Sequence, residues 1–430
     1  MKRKLEEQLR IWKEKESGRM PLIVNGARQV GKTYILRKIG EELFKNVVYI
    51  NLETNQTVAS FFDENISVER ILRYLEVSTG EKIIPGETLI IFDEIQSCER
   101  ALTALKYFCE EAPEFHVAAA GSLLGVAINR QNYSFPVGKV EILTMYPLDF
   151  EEYLWARERK LLCEEIHHAY DKMEPLPEAL HQEAVELYRE YLIVGGMPAC
   201  INAFLKNGSF LDVQMIQSGI LDNYIADMAK YASNADSVKI RACYNSIPAQ
   251  LAKDNKKFQY KIVQKGGTAT IFGASIEWLN LAGVVLKCQR ISDAYEPISV
   301  YADLSAFKLY MGDVGLLTMK SGISQQTVLS GEGNLFMGAV TENYVAQQLA
   351  AKGYGLYYWE SKSTAELDFV LQKGNQIIGV EVKKGEHVRS RSLSVFVEAY
   401  RPSFSIRFSL KNFGQKEGLK SVPLYAVFCV

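Results

Sequence analysis

Gly26-Ala27-Arg28-Gln29-Val30-Gly31-Lys32-Thr33 is the stretch whose reading decides the fold. It fits G-x-x-x-x-G-K-[ST], the pattern in which a glycine-rich backbone wraps phosphate groups with its N–H donors. Lys32 supplies a cation for the β- and γ-phosphates, and the Thr33 hydroxyl supplies an oxygen for Mg2+. The context agrees. Pro21–Asn25 reads as a strand, and Tyr34–Ile39 opens a helix behind the loop. The candidate nucleotide-binding residues are Gly26, Ala27, Arg28, Gln29, Val30, Gly31, Lys32, Thr33 and Tyr34.

Outward from this loop, short apolar runs alternate with helical patterns. The runs are Leu22–Val24, Val47–Leu52, Thr88–Phe92, Val117–Ala120 and Val140–Leu143. Strands buried on both faces of a parallel α/β sheet need such runs. The run Thr88–Phe92 ends in Asp93-Glu94, about 60 residues after the loop. Asp93 would hold Mg2+ through water, and Glu94 would polarise the attacking water. After Ala120, Gly121-Ser122 would place a hydroxyl beside the γ-phosphate, and a helix N-cap explains Ser122 nearly as well.

The chain has 430 residues, 49 Lys and Arg against 51 Asp and Glu, and a net charge of -2. A chain-wide polycation is excluded, while local basic patches stay open. The longest uncharged run, Tyr191–Leu205, is too short for a membrane span and contains Gly195, Gly196 and Pro198. Seven scattered Cys and five His, with no C-x-x-C pair, argue against a zinc site and for reduced thiols in a cytoplasm.

The expected organisation is an N-terminal helix over 1–17, a parallel-sheet domain over 18–148, a helical and winged-helix-like region over 149–330, and an α/β domain over 331–430. Asp149–Glu190 carries twelve Asp and Glu against five Lys and Arg, which predicts helices with a solvated acidic face. Helix, helix, Gly266-Gly267 turn and helix Thr270–Leu281, with strand-like Val284–Leu286 and Phe307–Met311, give the winged-helix order. After the Gly331–Gly333 turn come helix 335–351, strands 355–360, 366–371 and 376–383, helix 390–399, and strands near 403–409 and 422–429.

Several motifs together resemble a group of bacterial and archaeal AAA+-type P-loop ATPases with a C-terminal domain of unknown function. They are the phosphate loop, Ile91-Phe92-Asp93-Glu94-Ile95-Gln96, Ala120-Gly121-Ser122-Leu123-Leu124, and Tyr146-Pro147-Leu148-Asp149-Phe150-Glu151-Glu152-Tyr153. Gly195-Gly196-Met197-Pro198 and the segment Lys308–Leu316 look like two further motifs of that group. The resemblance implies an ATPase core, a winged-helix-like middle and a restriction-endonuclease-like, PD-(D/E)xK C-terminal domain. Gly138-Lys139 stands where the group often has Gly-Arg, so no catalytic arginine is assigned.

The C-terminal region carries its own constellation. With Gly374-Asn375 as a hairpin turn, Lys373 pairs with Gln376 and Asp368 falls opposite Glu381. Lys383 lies on the same face as Glu381. This is the D…E-x-K set of metal-dependent nucleases, in which Asp368 and Glu381 would ligate the metal and Lys383 would position water. Glu342 interrupts an apolar helical stripe, a cost that a metal or Lys383 would relieve. A salt bridge between Glu366 and Lys383 is the structural alternative.

Lys253, Lys256, Lys257, Lys261 and Lys265 form one basic patch, and Lys383, Lys384, Arg389 and Arg391 another, either of which would track a phosphate backbone. The leading expectation is therefore a Mg2+-dependent ATPase with ATP bound at the loop. Its nucleotide state would control a C-terminal region that binds DNA or RNA and cuts through Glu342, Asp368, Glu381 and Lys383. The alternative is a nucleotide-controlled switch binding a protein partner, with a silent nuclease-like domain. A homo-oligomer, in which a neighbouring subunit supplies an arginine, stays open.

Overall fold

The computed structural model describes residues 1–63, 66–122, 135–331, 334–361, 365–385 and 391–430. Leu123 and Leu124, Gly333 and Arg389, all named above, lie outside the described residues. The chain divides into two units. The first is Lys2–Tyr146 with Leu281–Gly283, and the second is Met1, Pro147–Asn280 and Val284–Val430. Among the described residues no helix is long and apolar enough to cross a membrane.

The first unit is built on a five-stranded parallel sheet. Its strands are β1 (Leu22–Asn25), β2 (Asn46–Asn51), β3 (Thr88–Asp93), β4 (His116–Gly121) and β5 (Glu141–Thr144), in the order β2-β3-β4-β1-β5. Parallel strands put all their C-terminal ends on one edge, where an open α/β sheet binds its ligand. β4 lies between β1 and β3, so Ser122 falls between the phosphate loop and Asp93. The apolar runs of β3 and β4 are wholly buried, as expected of central strands. β5 departs from that expectation. It is an edge strand whose residues alternate between half-buried and exposed, with Ile142 49% exposed.

The N-terminal helix, Leu5–Glu14, buries Leu5, Leu9 and Trp12. Their spacing of three to four residues makes one apolar stripe. One side of the sheet holds an apolar core of Ile50, Ile90 and Phe92 against Ile71, Leu75, Leu102 and Phe108 of flanking helices.

The second unit opens with helices Phe150–Ala156, Lys160–Lys172 and Glu178–Val194, with Pro175 and Pro177 in the break between the last two. Its acidic residues are less solvated than their number suggests. Asp149 and Glu152 form a buried capping box, because the free N–H groups of a helix's first turn need acceptors. Glu190 accepts from Tyr153 at 2.5 Å and pairs with Arg157 at 3.1 Å.

Helices Asn234–Leu251, Tyr260–Val263 and Ala269–Leu281 precede an antiparallel pair, β6 (Val285–Ile291) and β7 (Ala302–Met311). Helix Ala269–Leu281 and this strand pair stand where the winged-helix order expected a helix and two strands. The pair is not a free wing, because β6 also pairs in parallel with β8 (Tyr357–Glu360), which pairs with β9 (Glu366–Leu367). A second sheet, β10-β11-β12-β14-β13, holds β10 (Phe369–Lys373), β11 (Gln376–Val382), β12 (Ser405–Ser409), β13 (Gly414–Lys416) and β14 (Leu419–Pro423). Helix Met337–Ala351 precedes these strands, and helix Arg391–Tyr400 crosses over from β11 to the parallel β12. The strand expected near 422–429 stops at Pro423 and continues as a 3-10 turn, Leu424–Cys429.

Candidate functional site

The phosphate loop leaves β1 through backbone that side chains resist. Gly26 has φ 141°, Gln29 66° and Gly31 101°. A Cβ on Gly26 would stand 2.1 Å from the Met145 carbonyl oxygen, so only glycine lets the two backbones approach. Lys32 begins the helix Lys32–Leu43 and turns its ammonium back into the loop, donating to the Gly26 and Ala27 carbonyls at 2.9 and 2.7 Å. Burial pushes this ammonium down to about 8, with Glu94 and Asp93 opposing the shift. Tyr34 is 59% exposed, so its side chain faces away from the loop's interior.

Asp93, at the end of β3, meets Thr33 across the neighbouring strands. Thr33 Oγ1 donates to Asp93 Oδ2 at 2.9 Å, and the Tyr49 hydroxyl donates to the same oxygen at 2.8 Å. Glu94 follows with φ 50°, and its carboxylate accepts from the Gln96 amide. A hydroxyl and a carboxylate are the hard oxygen donors that Mg2+ takes. Asn25 Oδ1 and Ser122 Oγ are buried without a hydrogen-bond partner among the described residues, which leaves polar atoms for a metal–phosphate group to satisfy. The residues present therefore fit Mg2+ with a nucleotide.

Two groups that sequence reasoning missed buttress this site. Arg3 is buried and donates to the Val30 carbonyl at 3.0 Å and to the Tyr146 carbonyl at 2.7 Å, tying the N-terminal segment to the loop. Tyr49 is the other, and its hydrogen bond to Asp93, after burial, holds its hydroxyl up to about 12. Neither belongs to a motif, and only the tertiary contact reveals it. Lys139, standing where an arginine was sought, pairs with Glu110 at 3.0 Å.

In the C-terminal region the hairpin register is the one expected. Lys373 pairs with Gln376 and Phe369 with Val380, which carries Asp368 next to Glu381 just beyond the ladder. Their partners differ from the expectation. Asp368 sits in the bend between β9 and β10 and accepts from the Val382 N–H at 2.7 Å. Glu381 meets Arg407 at 2.9 Å and Lys383 at 3.1 Å.

Glu342 is 2% exposed and is met by Lys256, Lys308 and the Tyr310 hydroxyl, not by Lys383. Lys308, fully buried, bridges Glu342 at 3.0 Å and Glu366 at 2.5 Å. The Glu366–Lys383 salt bridge does not form, because β9 pairs with β8 instead of β11. Burial pushes the Asp368 carboxyl up to about 6, helped by the Glu342 charge. Burial works in the same direction on Glu342, but Lys308 and Lys256 hold it down to about 2. Glu342, Asp368 and Glu381 are not among the groups of three or more acidic, His or Cys side chains whose ligand atoms lie within 4.8 Å of one another, judged on the described residues.

The basic patches are partly consumed. Lys256 serves Glu342 and Lys257 pairs with Glu360 at 2.5 Å, leaving Lys253, Lys261 and Lys265 exposed. In the second patch Lys383 serves Glu381 and Lys384 donates to the Asn334 carbonyl, while Arg391 is exposed.

Comparison with known proteins bears on the first unit most directly. Residues 18–154 match the family described as AAA domain. The first unit holds most of the residues matched to the AAA domain. Residues 185–327 and 337–427 match two domains of unknown function, DUF8612 and DUF4143. An uncharacterized protein of Mycobacterium tuberculosis is 38% identical over 79 residues, which is 18% of this chain and 18% of that protein. The Walker-type ATPase of Pyrococcus abyssi aligns over 74% of this chain and 95% of its own, with 16% identity and a TM-score of 0.45. The ORC2 protein of Aeropyrum pernix, in ADPNP–ADP complexes, aligns over 78% and 93%, with 14% identity and a TM-score of 0.34.

The motifs downstream of the AAA sheet meet at one buried junction in the second unit. The Leu148 N–H donates to the Gly196 carbonyl at 2.8 Å, and the Gly196 N–H donates to Asp313 Oδ2 at 2.6 Å. A Cβ on Gly196 would stand 2.1 Å from the Leu148 carbonyl oxygen, and one on Gly195 would stand 2.3 Å from Asp313 Oδ1. Gln348 accepts from the Phe150 N–H at 2.8 Å, and Gln347 accepts from the Val314 N–H at 2.8 Å. Lys308 and Tyr310 of the same segment reach Glu342. The segment Lys308–Leu316 thus joins the DUF8612 region to the DUF4143 region, a structural reason for these residue types.

Proposed function

We propose that this chain binds Mg2+-ATP at Gly26–Thr33, hydrolyses it, and works as a nucleotide-controlled switch. The observation that carries the reading is the loop itself, with Lys32 turned onto the Gly26 and Ala27 carbonyls and Thr33 hydrogen-bonded to Asp93. On nucleotide binding the Lys32 ammonium exchanges those carbonyls for phosphate oxygens, and the loop N–H groups cradle the phosphates. Thr33 and Asp93 would hold Mg2+, which would supply neutralisation of phosphate charge. Glu94 takes a proton from the attacking water, with its carboxylate fixed by Gln96. None of the seven cysteines is in a disulfide, which suits a reducing cytoplasm.

For the C-terminal region we favour a domain that is nuclease-like in element order but silent in cleavage, acting through a partner. Cationic side chains already satisfy Glu342, and at Glu381 Arg407 donates to Oε2 while Lys383 stands by Oε1, which accepts no hydrogen bond among the described residues. The second reading is cleavage of DNA or RNA by Asp368, Glu381 and Lys383. It rests on the register that sets Asp368 beside Glu381.

One paired assay separates them. Lys32→Ala should abolish ATP turnover, and unchanged turnover removes the ATPase assignment. Wild-type protein with Mg2+ or Mn2+, with and without ATP, should leave DNA and RNA intact. Metal-dependent cleavage that Asp368→Ala stops would establish the second reading instead.

A further inference from the structure

Outside the nucleotide site and the Glu342 cluster, one group of side chains has a metal-binding composition that no motif spacing announces. Glu151 stands on the helix Phe150–Ala156, and Cys163 and His167 stand on the helix Lys160–Lys172. Cys163 and His167 are four residues apart, so both face the same way from one helix. The carboxylate oxygen, the sulfur and a ring nitrogen all lie within 4.8 Å of one another. His167 Nε2 is 2.8 Å from Glu151 Oε1, and Cys163 Sγ is 3.6 Å from the same oxygen.

A tetrahedral zinc ion with ordinary bond lengths needs its sulfur and oxygen ligands about 3.5 Å apart and its nitrogen and oxygen ligands about 3.3 Å apart. The two separations to the carboxylate oxygen therefore stand within about half an ångström of ligating distances, and the sulfur and ring nitrogen lie within 4.8 Å of each other. Phe428 packs its ring against the His167 ring, centroids 5.2 Å apart, which restricts the imidazole's orientation. Cys163 is buried, whereas the His167 side chain is 43% exposed, so the site opens to solvent on one side.

We propose that Glu151, Cys163 and His167 form a binding site for one zinc-class divalent ion, with water as the fourth ligand. The donor set selects the metal. Thiolate, imidazole and carboxylate together suit Zn2+ or Co2+ and do not suit Mg2+. As the ion binds, the Cys163 thiol proton leaves to solvent and the thiolate takes its place on the metal. Both helices then share one ion, which fixes the helical pair ahead of Glu178–Val194. Cysteine and histidine spacing missed the site because its third ligand is a glutamate from the preceding helix.

Cobalt substitution tests the proposal. Full-length protein freed of metal with a chelator is titrated with Co2+ and followed by absorption. One equivalent should produce a thiolate-to-cobalt charge-transfer band with intense tetrahedral d–d bands, and Zn2+ should displace it. Cys163→Ala should lose the charge-transfer band while its circular dichroism stays native. His167→Ala trims a side chain that is 43% exposed, with native circular dichroism as the check on folding, and it should weaken Co2+ binding tenfold to a hundredfold, on the order of losing a support to a metal site. No band at one equivalent of Co2+ in the wild type, or an unchanged band in folded Cys163→Ala, overturns the site. Unchanged affinity in His167→Ala does so equally.

Discussion

Replacing Lys308 with Met tests how the buried charge cluster is held. The methionine keeps an unbranched chain of similar volume and removes only the ammonium. Lys308 is 0% exposed and touches Glu342 and Glu366, so its loss leaves Lys256 as the remaining ammonium on Glu342. Removing one partner of a buried pair costs about 3–5 kcal/mol, because the other charge stays desolvated. The carboxyl's own shift gives a similar figure. Glu342 falls from 4.5 to about 2 against its burial, through Lys308, Lys256 and the Tyr310 hydroxyl together, and at 1.36 kcal/mol per unit that net shift is about 3 kcal/mol of stability.

The sign follows from linkage. A depressed carboxyl contributes its stability above its unfolded value and loses it as pH falls through about 2. Without Lys308 the Glu342 carboxyl rises. The variant should therefore lose most at pH 7.5, keep that deficit down to about pH 5, and recover relative to wild type as pH falls from there towards 2. Urea unfolding read by tryptophan fluorescence suits the measurement. Trp155, Trp278 and Trp359 lie in the second unit and Trp12 in the first. Lys308→Met combined with Glu342→Gln should recover at least about 1 kcal/mol, a coupling expected of groups in direct contact. A loss under about 1 kcal/mol at pH 7.5, or a double variant no more stable than the single, would refute the reasoning.

Three further predictions concern separate parts of the molecule. ATP affinity should fall roughly tenfold per pH unit above about 8, where the free-protein Lys32 ammonium deprotonates, and a flat profile from pH 7 to 10 in equilibrium binding would contradict the buried-lysine geometry. Asp368→Asn should gain stability relative to wild type as pH rises from 4.5 to 8, by about 2–3 kcal/mol, because a carboxyl raised to about 6 loses stability as pH passes through that value; thermal melts at both pH values check the sign. Arg3→Met removes the donor to the Val30 and Tyr146 carbonyls and should weaken nucleotide binding several-fold, on the order of 1 kcal/mol, with the sheet intact by circular dichroism; unchanged affinity would show that the N-terminal segment does not support the loop.

Much of the first unit was legible along the chain because its signals are local. The phosphate loop, the run Thr88–Phe92 and the acids after it need only a few consecutive residues to specify strand, turn and helix start. β5 was misjudged because an apolar run does not say whether both sides of a strand will be covered. In the C-terminal region the turn at Gly374-Asn375 set the register correctly, since a two-residue hairpin fixes pairing from its own ends. The partners of Glu366 and Glu342 lay out of reach. Lys308 comes from β7, 34 residues before Glu342, and no spacing rule joins the two.

The sequence by itself determined a parallel-sheet nucleotide domain, its phosphate loop and its Asp93-Glu94 pair, because backbone conformation and chemistry there are encoded by neighbours in the chain. Only the tertiary structure decided which charges are spent on holding the protein together. Lys256, Lys308 and Arg407 look like surface cations in one dimension, yet they neutralise Glu342 and Glu381 in a buried sheet-and-helix interior. The physical reason is desolvation: a buried carboxylate must find a cation, and the fold alone determines which one is near enough.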